Sequence, residues 1–244
     1  MLGELFDVNV CIGAAVALAA GLMRGFAGVG SGMLMAPIFA IVFGPLETVA
    51  IIIVMEWVVT AQLLPGVAKD IDWRLVGLMG AAATVFMPAG SWLLHSVDAE
   101  LMTRGVALLV LIVALVLLAG WRYEGQKRAL TSALVGAVSG VMLAATSLGN
   151  PPVMIYLLSS RDGATSNRAN FTGYFAVTLT ALIVWMMFID AISAAALTRA
   201  AIFLPGFMLA TWLGARLFKR SSEVLYRRVA LGLLVCVGVF GLVR

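Results

Sequence analysis

The chain has 244 residues, of which 63% are hydrophobic and 11% charged, with a formal net charge of +4. A soluble domain carries about 25% charged residues, so a water-soluble enzyme or nucleic-acid-binding module is excluded and a multi-pass membrane protein is indicated. The basic surplus reports topology, because Lys and Arg sit in short loops between apolar runs, and Cys11 and Cys236 lie inside such runs with neither disulfide nor metal-ligand spacing.

Residues 1–7 hold Glu4 and Asp7 and no basic residue, so the run 8–24 reads as a retained helix rather than a signal peptide. A Gly-rich interruption follows, Arg24-Gly-Phe-Ala-Gly-Val-Gly-Ser-Gly-Met-Leu-Met-Ala-Pro37, and overlaps a short apolar run at 33–43. Full-length helices are predicted at 47–64, 75–94 and 104–121. The polar stretch 122–130 reads as a linker, and a fifth long helix is predicted at 131–147. A second interruption, Gly140-Val-Met-Leu-Ala-Ala-Thr-Ser-Leu-Gly-Asn-Pro-Pro152, leads into a short run at 151–159, then long helices at 169–188, 199–218 and 227–243. At about 1.5 Å rise per residue, neither short run crosses a hydrocarbon core of about 30 Å as helix alone.

The expected fold is therefore an all-α polytopic membrane protein with eight full-length spans and two short segments. It divides into a first repeat at 1–121, a linker at 122–130 and a second repeat at 131–244. If each short run counts toward a crossing, or forms one arm of a re-entrant hairpin, thirteen of the sixteen Lys and Arg share one face and only Arg104, Arg199 and Arg244 lie opposite. Eight plain spans would split them nine against seven. The positive-inside rule favours the first arrangement, with the linker cytoplasmic and both termini outside. Five segments per half is an odd number, so the halves enter from opposite sides as inverted repeats. Duplication has support in sequence: Gly90-Ser-Trp-Leu-Leu-His-Ser-Val-Asp-Ala-Glu-Leu-Met-Thr-Arg104 aligns without gaps on Gly214-Ala-Arg-Leu-Phe-Lys-Arg-Ser-Ser-Glu-Val-Leu-Tyr-Arg-Arg228. Trp73, Trp92, Trp121 and Trp185 fall near predicted helix ends, as interfacial aromatics do.

Irregular backbone at membrane depth is tolerated only where it is buried in protein or lines a cavity. Paired Gly/Pro-interrupted segments at matching places in two halves point to the binding site of a secondary transporter. Close helix packing through small residues is the alternative, and Gly21, Gly25 and Gly32 fit it equally well. Pro151 and Pro152 suit the first turn of a half-helix, whose N–H groups are unpaired anyway, and Ser31 suits an N-cap for the run beginning at Met33. Two half-helix N-termini meeting near mid-membrane would offer donors and positive potential to a compact anion. Arg24 opens the first loop, where it either reaches a bound oxyanion or snorkels to the interface. Glu56 is a lone acid within Ile51-Ile-Ile-Val-Met-Glu-Trp-Val-Val-Thr60. It either takes a coupling proton or cation, or pairs with an Arg such as Arg24 or Arg168. Thr60 and Gln62 read as helix-contact hydrogen bonders. Tyr156 and Tyr174 read as interfacial or packing residues. Arg168 and Asn170 open the sixth long helix and read from position alone as an interfacial anchor.

The Gly25-x-x-Gly28-x-Gly30-Ser31-Gly32-x-x-x-x-Pro37 segment resembles the first signature of the TauE/SafE sulfite-exporter family, and Gly149-Asn150-Pro151-Pro152-x-x-x-Tyr156 with Arg168-Ala-Asn170-Phe171 resembles its second. The resemblance covers essentially the whole chain. It implies a secondary transporter in the cytoplasmic membrane, moving sulfite, thiosulfate or an organosulfonate by alternating access, with no cofactor. Together with the residue readings above, the expected substrate site comprises Arg24, Gly28, Gly30, Ser31, Gly32, Ser147, Gly149, Asn150, Pro151, Arg168 and Asn170, with Glu56 in coupling. Ser31 and Asn150 stand where the family more often has Gly, and Gly or Ser, and both add hydrogen-bonding capacity. The partners expected are the small anion, the bilayer and a coupling proton or cation, and a homo-oligomer is left open. Two rival readings are a carrier of another small organic or inorganic anion, and an anion channel, whose currents would follow driving force without saturating. A membrane enzyme lacks a nucleophile and base: His95 is the single histidine, and Val29 breaks a Gly-x-Ser-Gly pattern.

Overall fold

A computed structural model describes residues 8–28, 30–98, 128–147, 150–158 and 163–218, with isolated positions elsewhere. All the elements in these stretches are helical: α1 (Val8–Ala27), α2 (Ser31–Phe43), α3 (Pro45–Leu63), α4 (Trp73–Ser96), α5 (Ala129–Thr146), α6 (Asn150–Leu158), α7 (Ala164–Phe188) and α8 (Ala194–Phe218), with two 3-10 turns, Leu64–Gly66 and Ala68–Asp70, joining α3 to α4. Six of the helices are long and apolar enough to span a membrane. Two further predicted spans, 104–121 and 227–243, lie outside the described residues, as do Gly149, Trp121 and most of the linker.

The helix ends follow local chemistry. α1 stops where Gly28 turns left-handed (φ 75°) and its N–H bonds the Arg24 carbonyl at 2.8 Å. Gly44 (φ 84°) is the only residue between α2 and α3, and Pro45 starts α3 where a missing N–H costs nothing. Asp72 caps α4 by accepting from the N–H groups of Arg74 and Leu75. The 13 residues of α2 and 9 of α6 make helices of about 20 and 14 Å, both short of a hydrocarbon core.

Two boundaries correct the sequence reading. α1 runs to Ala27, so Arg24 lies in its last turn instead of opening the loop. α7 begins at Ala164, so Arg168 and Asn170 sit on its second turn, inside the helix and buried. The polar first turn, Thr165-Ser166-Asn167, carries that helix past the apolar run on which its start was predicted.

The long helices form a row in which each packs on the next: α1, α8, α3, α7, α4, α5. The outermost pairs, α1 with α8 and α4 with α5, are the most closely packed. The short α2 lies on α1 and α3, and the short α6 on α5 and α7. Glycines permit the closest approaches. A Cβ on Gly25 would strike the Thr211 carbonyl, and one on Gly214 the Leu22 carbonyl. One on Gly140 would strike the Ala83 carbonyl, and one on Gly90 the Val141 carbonyl. Such small-residue contacts are how helices associate tightly in lipid, where no hydrophobic effect draws them together. Phe39, Ile51, Ile52, Met55, Phe171, Phe203 and Phe207 fill the interior, while Val85, Phe86, Leu134, Val184 and Phe188 face outward. Trp73 and Trp92 are exposed near opposite ends of α4, as interfacial aromatics should be.

Candidate functional site

Four polar side chains from three helices meet in the interior. Arg24 is 0% exposed, Ser31 1%, Glu56 5% and Thr60 1%. The i, i+4 spacing puts Glu56 and Thr60 on one face of α3, turned inward, while the intervening Trp57 is 41% exposed on the outer face. Arg24 Nε lies 3.0 Å from Glu56 Oε2. Its Nη2 donates to Thr60 Oγ1 at 2.8 Å, and its Nη1 donates to the Gly28 carbonyl. The Ser31 hydroxyl donates to Glu56 Oε1. The Phe175 ring of α7 closes the assembly, its centroid 4.5 Å from the guanidinium carbon. Of the two partners open to Glu56, the fold thus selects Arg24, and a buried charge is matched as its cost demands. Arg24 does not snorkel. Thr60 serves this network, whereas Gln62 is exposed.

Ser31 does not act as an N-cap. It is the first residue of α2, and the capping position is Gly30, left-handed at φ 97°, with no side-chain cap. The hydroxyl is turned to Glu56, and a carboxylate is the stronger acceptor.

The glycines of the first loop admit close neighbours. A Cβ on Gly28 would stand 2.8 Å from Arg168 Cγ, one on Gly30 would strike the Met23 methyl, and one on Gly32 would stand 3.1 Å from the Ser147 carbonyl. The last contact joins the two interrupted segments: the start of α2 lies beside the residue that ends α5, shortly before α6 begins. Ser147 is itself left-handed (φ 56°), and its hydroxyl donates to the Thr146 carbonyl at 2.6 Å. Pro151 and Pro152 occupy the first turn of α6 as expected, and the helix takes in Asn150 as its first residue. The side chains of Asn150 and Pro151 lie outside the described set, as does Gly149.

Arg168 and Asn170 brace the frame around this meeting point. Arg168 Nη2 donates to the Gly25 carbonyl at 3.1 Å, tying α7 to the end of α1, and its guanidinium carbon sits 4.9 Å from the Phe218 ring centroid. Asn170 Oδ1 accepts from the Asp72 N–H at 2.8 Å, tying α7 to the start of α4. The second half has its own buried pairs. The Tyr174 hydroxyl donates to Ser139 Oγ at 2.8 Å, and the Ser132 and Tyr156 hydroxyls are 2.8 Å apart. Phe175 is the member of the site that sequence reasoning misses, since nothing in an apolar run marks which ring will face a cation.

An oxyanion with several acceptor oxygens suits the donors gathered here: a guanidinium, two hydroxyls and the first N–H groups of α2.

The family model described as "Sulfite exporter TauE/SafE" matches residues 13–241. A protein of Cupriavidus necator named "Probable sulfite/organosulfonate exporter TauE" is 28% identical over 210 residues, covering 80% of this chain and 78% of that protein. No solved structure matches.

Proposed function

Since the chain belongs to the TauE/SafE sulfite-exporter family, whose members are membrane transporters rather than enzymes, we propose that it is a secondary transporter exporting a small sulfur oxyanion, sulfite or an organosulfonate, by alternating access. The observation that carries this reading is the meeting of the two interrupted segments at Gly32 and Ser147, with buried Arg24 and Ser31 beside them. Arg24 and Ser31 supply the side-chain donors. The backbone around Gly28, Gly30 and Gly32, and around Gly149, Asn150 and Pro151, supplies N–H groups and the positive ends of two half-helices. Arg168 holds the end of α1 in place, and Asn170 the start of α4. Glu56 carries the coupling proton.

The two halves, 1–121 and 131–244, act as inverted repeats that rock about this point. The packing of the long helices supports the repeat, for the row reads first, fourth, third, third, fourth, first segment from either end. The charge distribution supports both termini outside and the 122–130 linker in the cytoplasm.

A binding panel tests the substrate. Purified protein in detergent is titrated with sulfite, thiosulfate, ethanesulfonate, sulfate and acetate while its thermal transition is followed. Sulfite or the sulfonate should stabilise it, by about 2.7 kcal/mol at a hundredfold excess over Kd, and acetate should not. Stabilisation by acetate alone would assign the fold to a carboxylate carrier.

A further inference from the structure

We propose that the Glu56 carboxylate is a tethered occupant of the anion seat, displaced and protonated when a substrate oxyanion takes Arg24 and Ser31, so that each anion crosses with one proton. This rests on the reading of Arg24 and Ser31 as the substrate's donors.

The geometry makes the case. A bound sulfonate needs what Glu56 already has: a guanidinium edge on one oxygen and a hydroxyl on another. Glu56 Oε2 lies 3.0 Å from Arg24 Nε, and Oε1 accepts from Ser31. With Arg24 0% exposed and Glu56 5% exposed, one guanidinium in a dry site does not hold two anions. An incoming anion therefore leaves the carboxylate without its cation, and that carboxylate takes a proton from the aqueous side to which the site is open. When the anion leaves, the proton leaves with it, Glu56 returns to Arg24, and the empty carrier recrosses with its buried charges matched. A monoanion then moves electroneutrally, and the sum of the anion and proton gradients sets its direction, so a cytoplasm rich in the anion drives export.

No other described charge on the helices around Glu56 competes for this role. α2, α5 and α6 carry none. On α7, Arg168 donates to the Gly25 carbonyl and the Tyr174 hydroxyl donates to Ser139. On α8, Arg199 pairs with Glu47 at the far end of α3, and Arg216 lies over Trp212.

Ethanesulfonate is the probe, because it stays ionised across the working range and any pH dependence belongs to the protein. Its affinity for the parent protein should rise by up to about tenfold per unit as pH falls from about 8 to about 5, the limit for uptake of one proton. Calorimetry in buffers of different ionisation heat should register close to one proton taken up per anion bound. Glu56→Gln should bind at least as tightly as the parent at its best pH, with no pH dependence and no proton uptake, and Arg24→Gln should not bind. Ethanesulfonate binding that depends on Arg24 but takes up no proton overturns the proposal and leaves the site standing. Failure of the folded parent to bind at any pH removes both. The proton count is made on the parent protein, so it holds however well Glu56→Gln folds.

Discussion

At Arg24 a carboxylate, a hydroxyl, a carbonyl and an aromatic face converge on one guanidinium, whereas Asn170 spends its side-chain oxygen on a single N–H at the start of α4. The contrast separates binding from support. Ser31→Ala removes a donor from the proposed seat and should weaken ethanesulfonate binding by about 1.5–3 kcal/mol, roughly 10- to 150-fold; because it also strips Glu56 Oε1 of its donor, it should lower the unfolding temperature as well. Asn170→Ala leaves the Asp72 N–H without its acceptor and should cost about 1–3 kcal/mol of stability, read as a lower unfolding temperature, while affinity holds. The opposite pattern would move the anion from α2 to α7. Much at this scale is legible in sequence. A lone acid mid-span demands a partner, and Arg24 is one of the two cations that the sequence offers it. The choice between Arg24 and Arg168 is not legible, because it depends on α1 reaching Ala27 and α7 starting at Ala164, both beyond the apolar runs that set the predicted boundaries.

Among the elements, the outermost helix pairs depend on glycine. Gly25→Ala would put a methyl into the Thr211 carbonyl, and Gly140→Ala one into the Ala83 carbonyl. Each should separate its helix pair and lower the unfolding temperature in detergent. Gly77 on α4 has nothing within 4 Å of an added Cβ. Gly77→Ala should leave stability unchanged or raise it, given the helix preference for Ala of about 1 kcal/mol. If all three variants unfold alike, the close approaches are not what holds these pairs. Gly90 and Gly214, which the ungapped alignment places opposite each other, lie on α4 and α8, and at each an added Cβ would strike a neighbouring carbonyl. That α4 pairs with α5 and α8 with α1 is not legible in sequence, because small-residue spacing marks a close contact without naming its partner.

For the molecule as a whole, orientation and movement are the claims to test. In a background with Cys11 and Cys236 replaced, single cysteines near Lys69, Gln126 and Ser221 should label from the cytoplasm, and those near Ser96 and Ala191 from outside. Opposite labelling at Lys69 and Gln126 would break the five-plus-five inverted arrangement. The most direct test of the account is sulfonate counterflow in proteoliposomes holding the purified protein. Preloaded ethanesulfonate should draw labelled ethanesulfonate inward with saturation, and Arg24→Gln, reconstituted at equal density and folded by its thermal transition, should abolish that flux. Flux that survives Arg24→Gln, or that rises linearly with concentration, would contradict a carrier whose substrate sits at Arg24.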